Sequence, residues 1–456
     1  LTNAIEVYSA KPKIGIERLA WTILFGSLFS FCSITIATTA TVYYFLFLSV
    51  TPMNGVLRVA RGTAVIEGAD FSEHACRDIS CFIDFPSIVS TDAQSQSTIS
   101  FRINDGETTL ATLTLKNSTR INLQVANEPR YSWSEGPYFI DLQDFSGEME
   151  VFIGHVEKRQ FRIQVQSVDG MIVLMESAGR FSIEAVNGQT RLHSHAGVAA
   201  LLSANRLDNR LVNSGQEALA FSTRAEMTVR DSPINNLLDN GLFSFQIPHT
   251  EASEPMLPVR WQCSSPAEAL PLGNYVADVW EGRMALRFVR TENARSHGET
   301  GCQQPILGIK QNVQDFNYLE LQSTFLINYQ SLSECGIEGS ECPLMLRLSY
   351  IDVNGNARQW YRGFYYNSNP QSNWPRRCGS CDEAHQQINE KVWYTFETGN
   401  LFNLLPEDER PAFIEEIKFY ASGHQYDVFI SELALNAGLR DTVPPTQQLN
   451  PINTVP

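Results

Sequence analysis

From Leu19 to Val50 the chain reads LAWTILFGSLFSFCSITIATTATVYYFLFLSV, with no Asp, Glu, Lys, Arg or His. A helix can carry such a run across about 30 Å of hydrocarbon, because it pairs its own backbone N–H and C=O groups where water is missing. A cleavable signal peptide would have a shorter apolar core followed by a small-residue cleavage motif. The stretch therefore predicts a single transmembrane anchor at 19–50, preceded by an arm at 1–18 and followed by an ectodomain from Thr51 onward. No second run of this kind follows.

Lys11, Lys13 and Arg18 precede the span and Arg58 and Arg61 follow it, so charge alone orients it weakly. The cysteines decide. Cys32 lies inside the span and all the others lie beyond it, which suits disulfides in an oxidising compartment. Pairing near neighbours predicts Cys76 with Cys81, Cys263 with Cys302, Cys335 with Cys342, and Cys378 with Cys381. The N-terminus is thus expected inside and the ectodomain outside. A net charge of -16 argues against a nucleic-acid partner, whose affinity would come from neutralising phosphates.

Beyond the anchor the apolar residues alternate. Ile99, Phe101 and Ile103 are separated by polar residues and run into Asn104-Asp105-Gly106, a strand and a tight turn. Leu113/Leu115, Ile121/Leu123/Val125, Met149/Val151/Ile153 and Phe161/Ile163/Val165 repeat the period of two. An internal echo follows: Phe161-Arg-Ile-Gln-Val, Asp169-Gly170 and Ala178-Gly179 are answered by Phe181-Ser-Ile-Glu-Ala, Asn187-Gly188 and Ala196-Gly197. Each copy reads as two short strands about an Asx-Gly turn, and stacked copies would share one apolar stripe.

At these residues, and at the closing Leu211-Val-Asn-Ser-Gly215-Gln-Glu, the chain resembles the FecR-like β-domain family of bacterial envelope proteins, from Gly55 to about Val229. The resemblance implies a bacterial cytoplasmic-membrane protein with a periplasmic or extracellular ectodomain. In FecR proteins that regulate sigma factors a cytoplasmic helical domain precedes the span; residues 1–18 are too few for one, so a FecR-type signal transducer is a lesser alternative.

Asp231-Ser-Pro233 reads as a linker (231–235). Asn236-Leu-Leu-Asp-Asn-Gly241-Leu-Phe243 and Trp261, with Ile417–Gly423 and Asp427–Leu435 as closing strands, resemble a galactose-binding-like jelly-roll of the carbohydrate-binding-module type over 236–437. Ser244 stands where many members of that family place an acidic residue, so the resemblance implies no calcium site. Tyr318–Tyr329 and Leu344–Tyr350 read as strands and Asp352-Val-Asn-Gly355 as a hairpin turn; residues 438–456 form a Pro-rich tail. The expected fold class is mainly β: one N-terminal transmembrane helix, a FecR-like stacked β-domain at 51–230 and a β-sandwich jelly-roll.

No GxSxG, HExxH, P-loop or GxGxxG motif occurs, so no catalytic, cofactor or metal residue is assigned. Glycosidase chemistry needs only two carboxylates, which spacing does not reveal. Glu334, Glu338 and Glu341 read as an acidic, solvated loop. Cys378-Gly-Ser-Cys381 reads as a structural disulfide, with a zinc site through His385 as the lesser alternative. His193 and His195 share a strand face with Arg191 and read as exposed. The candidate ligand-binding residues are Trp360, Tyr361, Tyr365, Tyr366 and Trp374, because sugars bind flat aromatic faces with polar groups at the rim; each is also a candidate for core packing. The expectation is a non-catalytic interaction or scaffold subunit of a membrane or envelope complex. A glycan-binding surface protein is the first alternative and a glycosidase the second.

Overall fold

The computed structural model describes residues 15–440 apart from 69–72, 77–79, 104–105, 107, 156–158, 223–226, 244–257, 267–269, 292 and 372–373. Most of the arm, nearly all of the tail, Ser244 and the Asn104-Asp105 pair thus lie outside the described residues.

The apolar run forms a helix, Ile16–Tyr43, continued through Tyr44–Leu48 in a wider π turn. None of the helix's residues is buried among the described residues. By length and composition Ile16–Leu48 can cross a membrane. Glu17 in its first turn favours the helix dipole.

The chain then builds a near-closed β-barrel-like sheet. Its hinge is the strand Tyr138–Ile153. The first half pairs with Arg120–Pro129 and, in parallel, with Phe161–Ser167; the second half pairs with Thr108–Leu115 and Gly179–Val186. Between the halves the register shifts and Gly147 takes φ +105, where a Cβ would lie 2.7 Å from the Thr119 Cα, so only glycine lets the strand change sheets. The two echo copies do not stack side by side. Phe161–Ser167 and Ile172–Met175 lie in one sheet, while Gly179–Val186 and Gln189–Ala196 lie in the other. Phe161, Ile163 and Val165 therefore share one core with Phe181, Ile183 and Ala185.

The second domain is a two-sheet sandwich. One sheet runs Asn274–Trp280, Arg283–Arg290, Tyr426–Gly438, Tyr318–Gln330, Tyr394–Glu397; the other runs Gln262–Ser264, Gly298–Pro305, Pro411–Gly423, Leu344–Asp352, Ala357–Tyr365, Gln386–Gln387. The Asn236–Phe243 motif straps one end. Phe243 and Trp261 pack on Phe419 at ring-centroid distances of 5.4 and 5.1 Å, and Trp261 Nε1 donates to the Asn240 carbonyl at 3.0 Å.

The domains are joined tightly. The link is taut: after the strand Met227–Asp231, Ile234–Asn236 already pairs with the last strand, Tyr426–Gly438. Gln96 treats Thr395 as a strand neighbour would, its Nε2 donating to the Thr395 carbonyl (2.9 Å) and its Oε1 accepting the Thr395 N–H (2.7 Å). Arg283 Nη2 donates to Thr112 Oγ1 at 2.6 Å, and Glu281 takes Arg58 (2.5 Å) and Arg102 (2.8 Å). Asn389 donates to the carbonyls of Val59 and Ala60, each at 2.8 Å.

Candidate functional site

Among the described residues, polar chemistry concentrates at the junction between the domains and on the outer face of the second sheet of the sandwich.

At the junction, Lys116 reaches Glu397 of the sandwich and Glu148 of its own domain at 2.5 Å each, and Glu150 at 3.7 Å. Glu150 is buried and also receives Arg180 (3.0 Å) and Gln322 Nε2 (2.7 Å), while Arg180 pairs across the junction with Glu432. Burial alone would keep the Glu150 carboxyl neutral, but Arg180 and Lys116 overcome it and hold its pKa down to about 2. Burial pushes Glu397 the other way, up to about 7; Lys116 opposes this, and the crowding carboxylates Glu150, Glu320 and Glu148 reinforce it. A cleft of about 160 Å³ opens beside these residues, lined also by His193, His195, Glu217, Arg230 and Tyr318.

His193 and His195 do share a face, with ring centroids 4.2 Å apart, but it is not the exposed face expected from the sequence: the sandwich covers it and makes it a cleft wall. Burial, followed by Arg180 and the neighbouring His193, holds His195 well below the usual imidazole range, and its Nε2 lies 2.7 Å from Ser182 Oγ.

The outer face of the second sheet is built by strand alternation. Register places Gln303, Lys418, Arg347 and Tyr361 in one row across four strands, and Pro305, Glu416, Ser349 and Gln359 in the next. Arg347 pairs with Glu416 and Lys418 with Glu299, both at 2.5 Å, and the Tyr361 hydroxyl donates to Gln359 Oε1 at 2.6 Å. An open groove of about 660 Å³ runs over Arg347, Ser349, Gln359, Tyr361 and Glu416. It faces away from the junction, which uses the other sheet.

Of the five aromatic candidates only Tyr361 lines this groove. Trp360 is 2% exposed and stacks towards Phe396 in the core. Tyr365 is equally buried, among the disulfides and Met345. Tyr366 packs against the sandwich core and accepts the Gln330 N–H on its hydroxyl at 3.3 Å. Trp374 is half-buried in the loop that carries Cys378 and Cys381. Arg347 and Glu416 were missed by sequence reasoning; the polar position of Arg347 within the predicted strand Leu344–Tyr350 was the available signal, while Glu416 falls just before the predicted strand 417–423.

Four disulfides are present, Cys76–Cys81, Cys263–Cys302, Cys335–Cys342 and Cys378–Cys381. Cys32 is free. His385 lies against both of the last two pairs, within 4.8 Å of each. Its ring is committed elsewhere: Nδ1 accepts the Gly363 N–H at 3.0 Å, which leaves Nε2–H to donate to the Gly339 carbonyl at 2.6 Å. With the sulfurs bonded to each other and both ring nitrogens engaged, these residues do not fit a zinc ligand set. Glu334 is a correction to the solvated acidic loop: it is 2% exposed and accepts from Ser368 Oγ (3.0 Å) and the Asn369 N–H (3.1 Å).

These features define a mainly β, two-domain protein with an apolar N-terminal helix, and the helix and disulfides suit an envelope or secreted location. No protein-family model matches the sequence, and no curated protein matches it either. Distant structural similarity extends to a candidate anti-sigma factor from Parabacteroides distasonis, 12% identical with TM-score 0.24 over 32% of this chain and 59% of that one. It extends also to the family 11 carbohydrate-binding module of Clostridium thermocellum (10% identical, TM-score 0.22, 40% and 91% covered). A third is the CBM22-1 xylan-binding domain from Paenibacillus barcinonensis (10%, TM-score 0.23, 45% and 96%). The chain thus spans 59% of the length of the first of these, and likeness at this level carries nothing about activity.

Proposed function

We propose that this is a single-pass membrane protein, N-terminus inside, whose ectodomain is a non-catalytic binding module that takes a glycan in the outer-sheet groove. The observation that carries the reading is the open groove of about 660 Å³ in which Tyr361 lies beside Arg347, Ser349, Gln359 and Glu416. An aromatic ring beside fixed hydrogen-bonding groups suits a sugar's apolar ring face and hydroxyl rim. The groove cations Arg347 and Arg358 are each paired with a carboxylate, Glu416 and Asp352, which favours a neutral polymer over an acidic one.

The junction supports the non-catalytic part. Two carboxylates with pKa values pushed apart, as Glu150 and Glu397 are, have the pattern of an acid/base pair. Here Lys116 sits between them, 2.5 Å from Glu397 and 3.7 Å from Glu150, and Glu150 also takes Arg180 and Gln322, so the pair is tied up in structural contacts across the junction. A second reading, a subunit of an envelope complex, is favoured by Leu307 and Ile309, adjacent in one turn and 70% and 95% exposed. A glycan array probed with the ectodomain tests the first reading: binding lost in Tyr361→Ala, with unfolding temperature unchanged, supports it. An array with no glycan bound, alongside a partner co-purifying in mild detergent, would replace it with the second.

A further inference from the structure

The helix does not run freely into the β-domain. Its last turn leaves carbonyl groups without intrahelical partners, and at the edge of a bilayer these need donors. The loop at 130–136 supplies them. The Glu135 N–H donates to the Leu46 carbonyl at 3.0 Å, Ser134 Oγ donates to the same oxygen, and the Arg130 N–H donates to the Ser49 carbonyl at 3.0 Å. Gly136 sits so close that a Cβ there would be 3.2 Å from the Phe47 carbonyl oxygen. This loop is therefore bolted to the helix at the depth where the apolar run ends.

What the loop presents at that depth is unusual for a soluble surface. Trp133 is 57% exposed and stacks on Tyr131 (4.9 Å, 12° between planes), and Tyr131 meets Phe45 of the helix edge-on at 5.9 Å. Tyr44 and Leu48 beside them are 50% and 55% exposed. Arg159 holds the loop from the side, its Nη2 donating to the Ser132 carbonyl at 2.9 Å. Trp and Tyr gather at membrane–water boundaries because their rings are apolar while an N–H or O–H stays wet.

We infer that residues 130–136 are an interfacial foot: a second membrane contact, seated among the lipid headgroups of the outer leaflet, that fixes the ectodomain's tilt on the bilayer. The inference rests on the reading that the helix spans the membrane. The partner is the lipid surface, because the helix hydrogen bonds set the loop's height independently of any other protein.

The test uses the full chain with Cys32→Ser, reconstituted in phosphatidylethanolamine/phosphatidylglycerol vesicles, with spin labels placed singly through Ile34→Cys, Ser132→Cys and Ile309→Cys. Collision with oxygen and with a water-soluble nickel complex is measured for each. A label at 34 shielded from nickel and open to oxygen, with the label at 132 losing much of the nickel accessibility seen at 309 while gaining oxygen, supports the foot. A shielded 34 with 132 as nickel-accessible as 309 overturns the foot while the span stands. Loss of both collision rates at 132 would mean protein cover and also overturns it. A label at 34 as nickel-accessible as 309 removes the span and the foot together.

Discussion

Lys116 shows how much a single residue carries when it is the cation among several carboxylates. Its side chain is 7% exposed and it contacts Glu148, Glu150 and Glu397. Lys116→Met leaves carboxylates crowded without their counter-charge, and the expected loss is about 3–5 kcal/mol at neutral pH, the usual cost of breaking a buried pair. Thermal unfolding should show a smaller loss at pH 5.5 than at 7.5, since Glu397, already pushed up to about 7, is then neutral. His195 works with the opposite sign. Its folded pKa is depressed below the ordinary 6.5, so as pH falls below about 6.5 the unfolded chain takes up the proton first and stability drops. Glu397, raised in the fold, gains stability over part of the same range, so the comparison with His195→Gln isolates the histidine. That variant should lose less stability than the parent between pH 7 and pH 5. Equal slopes would show that the Arg180, Glu150, Lys116 and His193 surroundings do not depress it.

At the scale of elements, local patterns were legible and parity was not. The alternation at Leu344–Tyr350 and the Asp352–Gly355 turn reappear as the hairpin Leu344–Asp352/Ala357–Tyr365, because turn chemistry and period are written in neighbouring residues. Which alternate set faces out depends on the opposing sheet. Trp360 and Phe364 went to the core and Tyr361 to the groove, a choice invisible along the strand itself. The disulfide-bearing loops show a further dependence. A Cβ on Gly363 would lie 2.3 Å from Cys342 Sγ and 2.7 Å from His385 Nδ1, so these loops sit directly on the sheet. Gly363→Ala should lower the unfolding temperature of the ectodomain, and limited proteolysis should then cut between residues 331 and 385; unaltered protease resistance would contradict this close seating. The Cys263–Cys302 bridge closes the longest separation, 39 residues, and its removal should cost about 4 kcal/mol on loop entropy against about 2 for Cys378–Cys381.

At the scale of the whole molecule, the junction was the least legible part of the chain. Its pairs lie far apart in sequence, 281 residues for Lys116 and Glu397 and 299 for Gln96 and Thr395, so no window of sequence contains both partners. Read locally, His193 and His195 were surface residues; folding placed a second domain over them. One sheet of the sandwich is committed to the junction and the groove lies on the other, so the two polar sites face in opposite directions. Titration calorimetry with the best glycan from the array, on the intact ectodomain and on Tyr361→Ala and His193→Gln, separates them directly. The account predicts binding that falls at least about tenfold, roughly 1.4 kcal/mol, in Tyr361→Ala and is unchanged in His193→Gln. Binding retained in Tyr361→Ala and lost in His193→Gln would contradict it and move the site to the junction cleft.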